Sequence, residues 1–201
     1  RAFDVFHDNL NDISRDGVPS RATEIRLGGG ELALERESEF RINGAAPGMP
    51  VVETGSITYR GAGDTRIVYE NGAVFRMQGD DGVMLNEPDL LVGETVVYSL
   101  HGIGGPAQST QGERTVLMVG ERSSRGVPVD DRTADGNVTL EITSAQAAVW
   151  ERYYADLEAS HDGVSVDGDP ETDADLEVTF DAAHYERFVV HRTATAIDFS
   201  E

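Results

Sequence analysis

The chain has 201 residues, 37 of them acidic against 16 basic, and no cysteine, so its formal net charge is -21. That charge excludes nucleic-acid binding as a function class, because contacts to phosphates need a basic surface. The absence of cysteine excludes disulfides and thiolate chemistry. No stretch of about 18 apolar residues is present, so the sequence predicts no membrane-spanning helix within it.

Every basic residue is an arginine, and lysine is absent. Lysine is a common, strongly hydrated surface residue, so its exclusion beside so many carboxylates indicates selection on the whole surface. The pattern resembles proteins of extremely halophilic archaea. Charges repel over about 10 Å at 0.1 M salt but only about 3 Å at 1 M, so concentrated salt makes the self-repulsion tolerable. An acidic protein from an ordinary environment, or the bias of a GC-rich genome, is the alternative.

The first predicted element is an amphipathic helix over residues 2–14. Its apolar side chains recur at a spacing of three and four residues, at Phe3, Phe6, Leu10 and Ile13. The chain begins at Arg1 without a methionine, and no start signal precedes the helix. We therefore expect the stub of a longer helix, with these four residues as its packing or assembly face. An ordinary N-terminal helix that covers a sheet is the alternative.

Residues 22–27 and 31–35 are predicted strands on either side of the glycine run 28–30, and we expect them to form a hairpin. A phosphate-binding loop is the alternative for three consecutive glycines. It is not favoured, because neither a helix nor a Lys-Ser/Thr pair follows them. Two further strands are predicted at residues 38–42 and 51–60.

Residues 65–78 are the strongest predicted hairpin, with Asn71 and Gly72 at the turn. Asn-Gly is typical of a type I′ turn, whose two central residues have positive φ. The two-residue loop fixes the register. One face then carries Val68, Phe75 and Met77, and the other carries Ile67, Tyr69 and Val74. Because both faces are apolar, the hairpin is predicted to be central, with material packed on each side.

The second half of the chain predicts five more strands and one helix. The strands lie at residues 94–100, 114–121, 137–143, 176–180 and 185–199. Residues 123–136 are predicted as a long polar connection. With about ten closely spaced strands, residues 1–201 are predicted to form a single α+β domain that is mainly β, an antiparallel sheet or sandwich with an N-terminal helix.

The later helix is predicted near residues 145–159, with Ser144 as its N-cap. Its helical stripe consists of Trp150, Tyr153, Tyr154 and Leu157. This spacing favours a buried stripe in the core. A surface platform on which sugars stack is the alternative.

An acidic run at residues 167–175 alternates in the manner of a calcium-binding loop. Such a loop needs glycine at its sixth position and glutamate at its twelfth, and Thr172 and Val178 stand there instead. A solvated acidic loop is therefore favoured. The five histidines, at positions 7, 101, 161, 184 and 191, also lack the spacing of a metal site.

Candidate catalytic residues are equally sparse. Ser99 and His101 share one strand face, without the elbow or the orienting acid of a nucleophile site. A pair of carboxylates for glycoside chemistry cannot be singled out among so many acids. The sequence therefore predicts a protein that is not an enzyme, with no cofactor, no metal and no catalytic residue.

One modification motif is present at residues 137–139, Asn-Val-Thr. Asn-x-Ser/Thr is the acceptor for N-linked glycosylation. Such triplets also arise by chance, and this one stands at the beginning of a predicted strand. Asn137 is the glycosylation candidate of the chain.

Three segments carry a family resemblance: residues 67–76, IVYENGAVFR; residues 83–91, VMLNEPDLL; and residues 138–157, VTLEITSAQAAVWERYYADL. Together they resemble the ectodomain of haloarchaeal type IV pilin-like surface proteins. The resemblance implies an extracellular β-rich head, anchored in the membrane or a filament by a hydrophobic N-terminal helix that follows a prepilin peptidase site. That helix and its cleavage site are not in this sequence.

Two function classes follow. The first is a cell-surface protein of the pilin kind, with roles in surface structure or adhesion, other pilin-like subunits as partners, and contact with the membrane only through an upstream helix. The second is a secreted or surface ligand-binding module, with carbohydrate as its ligand. The residues encoded before Arg1 discriminate between them, since about 20 apolar residues after a short basic leader indicate the first class.

Overall fold

The computed structural model describes residues 2–44, 51–61, 63–131 and 136–200. In chain order its elements are α1 (Ala2–Ser14), β1 (Ser20–Arg26), β2 (Glu31–Asn43), β3 (Val51–Arg60), β4 (Thr65–Glu70), β5 (Ala73–Gln78), β6 (Asp81–Asn86), β7 (Leu90–Leu91), β8 (Thr95–Gly104), β9 (Gln108–Gln111), β10 (Thr115–Asp131), β11 (Val138–Thr143), α2 (Ala147–Ser160), β12 (Val164–Asp167), β13 (Leu176–Phe180) and β14 (Arg187–Ser200). The predicted fold class, α+β and mainly β, is confirmed.

The strands form two sheets. The smaller has the order β1-β10-β14-β8-β7, and the larger runs β12-β13-β11-β2-β3-β4-β5-β6, with β9 beside the first half of β2. Among the strands that the structure describes, every neighbouring pair is antiparallel except β14 and β8, which run parallel. The long β2 joins the two halves of the larger sheet, because its first half pairs with β9 and its second half with β11.

The predicted central hairpin is confirmed as β4 and β5. Tyr69 lies opposite Val74 and Val68 opposite Phe75. Asn71 has a φ of 43° and Gly72 a φ of 83°, as a type I′ turn requires.

Both faces of this hairpin are covered by buried apolar residues. On one side lies the first core, which centres on Trp150 of α2, with the rings of Phe40 and Phe75 edge-on to it at 5.4 and 5.2 Å. On the other side lies the second core, which contains Tyr69 and Val74 together with the apolar face of α1. A helix therefore covers each face of the central hairpin.

The smaller sheet contributes to both cores. Tyr98 of β8 and Val190 of β14 belong to the first core, whereas Ile103 and Ile197 of the same strands belong to the second. The parallel pair of β8 and β14 therefore connects the two cores along its length.

Two predicted connections are wrong. The strands around the glycine run 28–30 do not form a hairpin, since β1 pairs with β10 and β2 with β3 in the other sheet. Residues 123–131 are the second half of β10, paired with β14, rather than a polar connection. Backbone pairing makes this segment a strand, and it begins with the exposed polar residues Ser123, Ser124 and Arg125, which give no apolar alternation.

Candidate functional site: the seat of the N-terminal helix

The apolar face of α1 is entirely buried. Phe3 and Phe6 are 7% and 2% exposed, and Leu10 and Ile13 are 1% and 0% exposed. These are the four residues of the predicted packing or assembly face. In the structure they pack against the chain's own sheets, which leaves little of their surface open to another molecule.

We call the surface beneath them the helix seat. It consists of the apolar residues that share the second core with α1, namely Ile25, Leu27, Leu32, Leu34, Ile57, Tyr69, Val74, Ile103, Val116, Met118 and Ile197. Both sheets contribute to it. The ring of Phe6 meets the ring of Tyr69 edge-on, with the centroids 5.3 Å apart, a favourable aromatic arrangement.

Polar contacts hold both flanks of α1. Toward β1, the Asn9 side-chain amide donates to the Thr23 hydroxyl over 2.8 Å, and Asp12 pairs with Arg21 at 3.0 Å. Toward the β4–β5 turn, His7 Nε2 donates to the Gly72 carbonyl over 3.0 Å. These contacts fix the rotation of the helix on its seat.

Arginines of β10 cap the carboxyl end of α1. Arg125 donates to the Arg15 carbonyl over 3.0 Å, and Arg122 donates to the Gly17 carbonyl. Arg15 also pairs with Asp89 at 2.9 Å. Cations are favourable at this end because the free carbonyls there carry partial negative charge. The last turn of α1 has no basic residue of its own, so the sheet supplies the charge.

A second feature is a buried carboxylate at the end of β4. Glu70 is 0% exposed and accepts three hydrogen bonds, from the Ser38 hydroxyl at 2.5 Å, the Ser144 hydroxyl at 2.6 Å and the Trp150 indole N–H at 2.7 Å. Burial raises the pKa of the Glu70 carboxyl, and the three donors oppose part of that shift. The carboxylate joins β2, α2 and the segment before α2 to the central hairpin.

A polar chain continues from the turn into the core. The Asn71 amide accepts from the backbone N–H of His101 at 2.8 Å and donates to the Tyr98 hydroxyl at 3.1 Å, which contacts the Tyr154 hydroxyl at 3.0 Å. The His101 ring lies between the hydroxyls of Tyr69 and Thr195, at 3.0 and 2.9 Å.

The state of His101 follows from this setting. Burial, with a smaller contribution from His7, lowers the pKa of His101 to about 4. The ring is therefore neutral at pH 7, and it serves as a hydrogen-bonding group within the core.

Comparison with known proteins gives one match. The chain matches the model of the Family of unknown function (DUF7289) over residues 1–198. The chain belongs to this family. The matched range includes α1, the helix seat and the Glu70 cluster. No curated protein and no solved structure matches the chain.

Ser99 and His101, for which the sequence predicts no catalytic role, have different hydrogen-bond partners in this DUF7289 chain. Ser99 donates to Asp89 at 2.8 Å, whereas the His101 ring contacts the hydroxyls of Tyr69 and Thr195, so the two residues do not form a pair of nucleophile and base.

Within the described residues, no group of three or more His, Asp or Glu side chains could hold a metal ion. None of the helices described there is long and apolar enough to span a membrane.

The aromatic stripe of α2 lies in the core, as the helical spacing predicts. Trp150 and Tyr154 are 0% exposed, and Tyr153 and Leu157 are partly buried against the same cluster. A sugar-stacking platform on this stripe is therefore excluded. Ser144 is not the N-cap, because α2 begins at Ala147, after Gln146. The Ser144 hydroxyl accepts from the Gln146 backbone N–H at 2.9 Å and donates to Glu70.

Asn137 is exposed and stands directly before β11. Its glycosylation stays a prediction.

The Glu70 cluster and the arginine caps were not predicted. Glu70 could have been found from the pattern, since a two-residue alternation places it on the same face as Val68, among buried residues. A charged side chain at such a position indicates a buried hydrogen-bonded group. The arginine caps leave no comparable signal, because Arg122 and Arg125 lie more than a hundred residues from their acceptors.

Proposed function

We propose that this domain is the non-enzymatic extracellular head of a pilin-like surface protein of a halophilic archaeon, involved in cell-surface structure or adhesion. The observation that supports it most is the seat of α1. A pilin helix packs its lower half on the sheet of its head and sends its upper half into the membrane or the filament. The apolar face of α1 lies on both sheets here, as the lower half of such a helix does.

The polar contacts of α1 fit an attachment role. A helix that anchors a head transmits load, so it has to be joined to the domain at several points. Here the apolar face is buried in the second core, Asp12 and His7 hold the two flanks, and Arg122 and Arg125 hold the carboxyl end. Tension on α1 would pass into both sheets at once.

The charge of the chain supports the halophilic part of this proposal. A net charge of -21 without a single lysine is suited to brine, where repulsion between surface carboxylates is screened within about 3 Å at 1 M salt. A carbohydrate-binding module, the other candidate function, loses its main support because Trp150 is buried.

Surface labelling of cells that express the whole gene tests this proposal. Intact and lysed cells are stained with an antibody raised against residues 2–200. We expect equal staining of the two samples, while a cytoplasmic marker stains lysed cells only. Staining that needs lysis would overturn the proposal.

A further inference from the structure

The Asn-Val-Thr motif lies on the surface of the larger sheet, at the entry to β11. Asn137 is exposed, and its side-chain oxygen accepts a hydrogen bond from the backbone N–H of Ala182 at 3.3 Å. A backbone N–H can only donate, so the amide oxygen is the atom that faces Ala182. The amide nitrogen, which is the atom that N-glycosylation modifies, has no partner among the described residues.

The third residue of the motif points to the polar face of the sheet. Val138, Leu140 and Ile142 are buried in the first core, so Thr139 points the other way. Its neighbours across the sheet are Asn43 on β2 and Thr179 on β13. An oligosaccharide at this place would lie beside half-exposed polar side chains.

Asn137 is also the one asparagine of the sequence with a serine or threonine two positions later. Its surroundings contrast with those of Asn71, which is 0% exposed. The side-chain oxygen of Asn71 accepts one hydrogen bond and its side-chain nitrogen donates another. Asn137 therefore combines the acceptor motif with an exposed side chain whose amide nitrogen has no partner among the described residues.

We propose that Asn137 carries an N-linked oligosaccharide. The donor would be an oligosaccharide linked through its anomeric carbon to a lipid phosphate. The Asn137 amide nitrogen attacks the anomeric carbon and forms the C–N bond, the C–O bond to the phosphate breaks, the lipid phosphate leaves with the electron pair, and the nitrogen loses one proton. The inference rests on the proposed function, because the transfer accompanies export across the membrane.

The test is mass spectrometry of the chain purified from its native cells. Trypsin cleaves after arginine, so the peptide of residues 133–152 contains the whole motif. We expect the mass of this peptide to exceed the unmodified mass by that of an oligosaccharide. The excess should vanish in Asn137→Gln and Thr139→Val and should persist in Thr139→Ser, which keeps the acceptor motif.

The outcomes separate this inference from the proposed function. An unmodified peptide 133–152 from a chain recovered at the cell surface would overturn the glycosylation alone. An unmodified peptide from a chain recovered in the cytoplasm would overturn both. An excess mass that remains in Asn137→Gln would place the sugar elsewhere and would also contradict the inference.

Discussion

Trp150 donates its indole N–H to the Glu70 carboxylate over 2.7 Å, and neither side chain has any exposed surface. The bond joins the first turn of α2 to the last residue of β4. Two serine hydroxyls complete the carboxylate's surroundings. One acidic side chain thus fixes the position of the second helix on the central hairpin.

Replacing Glu70 by glutamine should destabilise the fold by about 1–3 kcal/mol, because the new amide N–H groups would meet donors in a buried place. Glu24→Gln, at an exposed position of β1, is the matched control and should be nearly neutral. Chemical denaturation in molar salt measures both.

The Glu70 effect should depend on pH. Because its folded pKa is raised above its ordinary value of 4.5, folding favours the protonated carboxyl. The stability that Glu70 contributes is then fully present below pH 4.5 and is lost as the pH rises through the folded pKa. The free-energy gap between the wild type and Glu70→Gln should shrink as the pH rises from 4 to 8. A gap that widens would contradict this assignment.

Gly72→Val should destabilise the hairpin by roughly 1–3 kcal/mol, because a β-branched residue is strained at a φ of 83°. Gly126→Val is the control, since Gly126 lies in β10 without a positive φ and a Cβ there would meet nothing within 4 Å. Equal denaturation midpoints for the two variants would show that backbone strain at the turn does not cause the loss of stability in Gly72→Val.

The helix seat predicts an asymmetry between the two faces of α1. Leu10→Ala should cost about 2–5 kcal/mol, the range for a fully buried leucine. Val5→Ala should change the stability by less than about 0.5 kcal/mol, because Val5 is 53% exposed. Thermal and chemical unfolding in the same salt measure the two. Similar losses for both would mean that α1 does not sit on the sheets in this orientation.

The acidic surface predicts a requirement for salt. With a net charge of -21, repulsion within the folded domain should lower the melting temperature at low ionic strength. Melts from low to multimolar KCl and NaCl should show the melting temperature rising with either salt. A flat melting temperature across that range would contradict the halophilic assignment.

The sequence predicts those parts of the fold that depend on local chemistry. Asn71 and Gly72 specify their turn through positive φ, and the register of β4 and β5 follows from the loop length. The apolar spacing from Phe3 to Ile13 specifies both α1 and its buried face. In each case a few neighbouring residues carry the whole signal.

Long-range pairing could not be predicted in the same way. The partner of β1 is β10, almost a hundred residues away, whereas the glycine run 28–30 indicates a local hairpin. The second half of β10 becomes a strand because β14 pairs with it, although five of the nine residues 123–131 are polar. The Glu70 cluster likewise assembles from three segments, and only the position of Glu70 on an apolar face hints at it.

The central claim is that α1 attaches an extracellular head to a membrane or a filament. Fractionation of native cells that express the uncut gene tests it most directly, with the chain followed by antibody through cytoplasm, membranes and sheared filaments. We expect the chain in the membrane or filament fraction, and residues 2–200 expressed alone as a soluble monomer. A native product recovered in the cytoplasm, from a gene that encodes no apolar segment upstream of Arg1, would contradict the account.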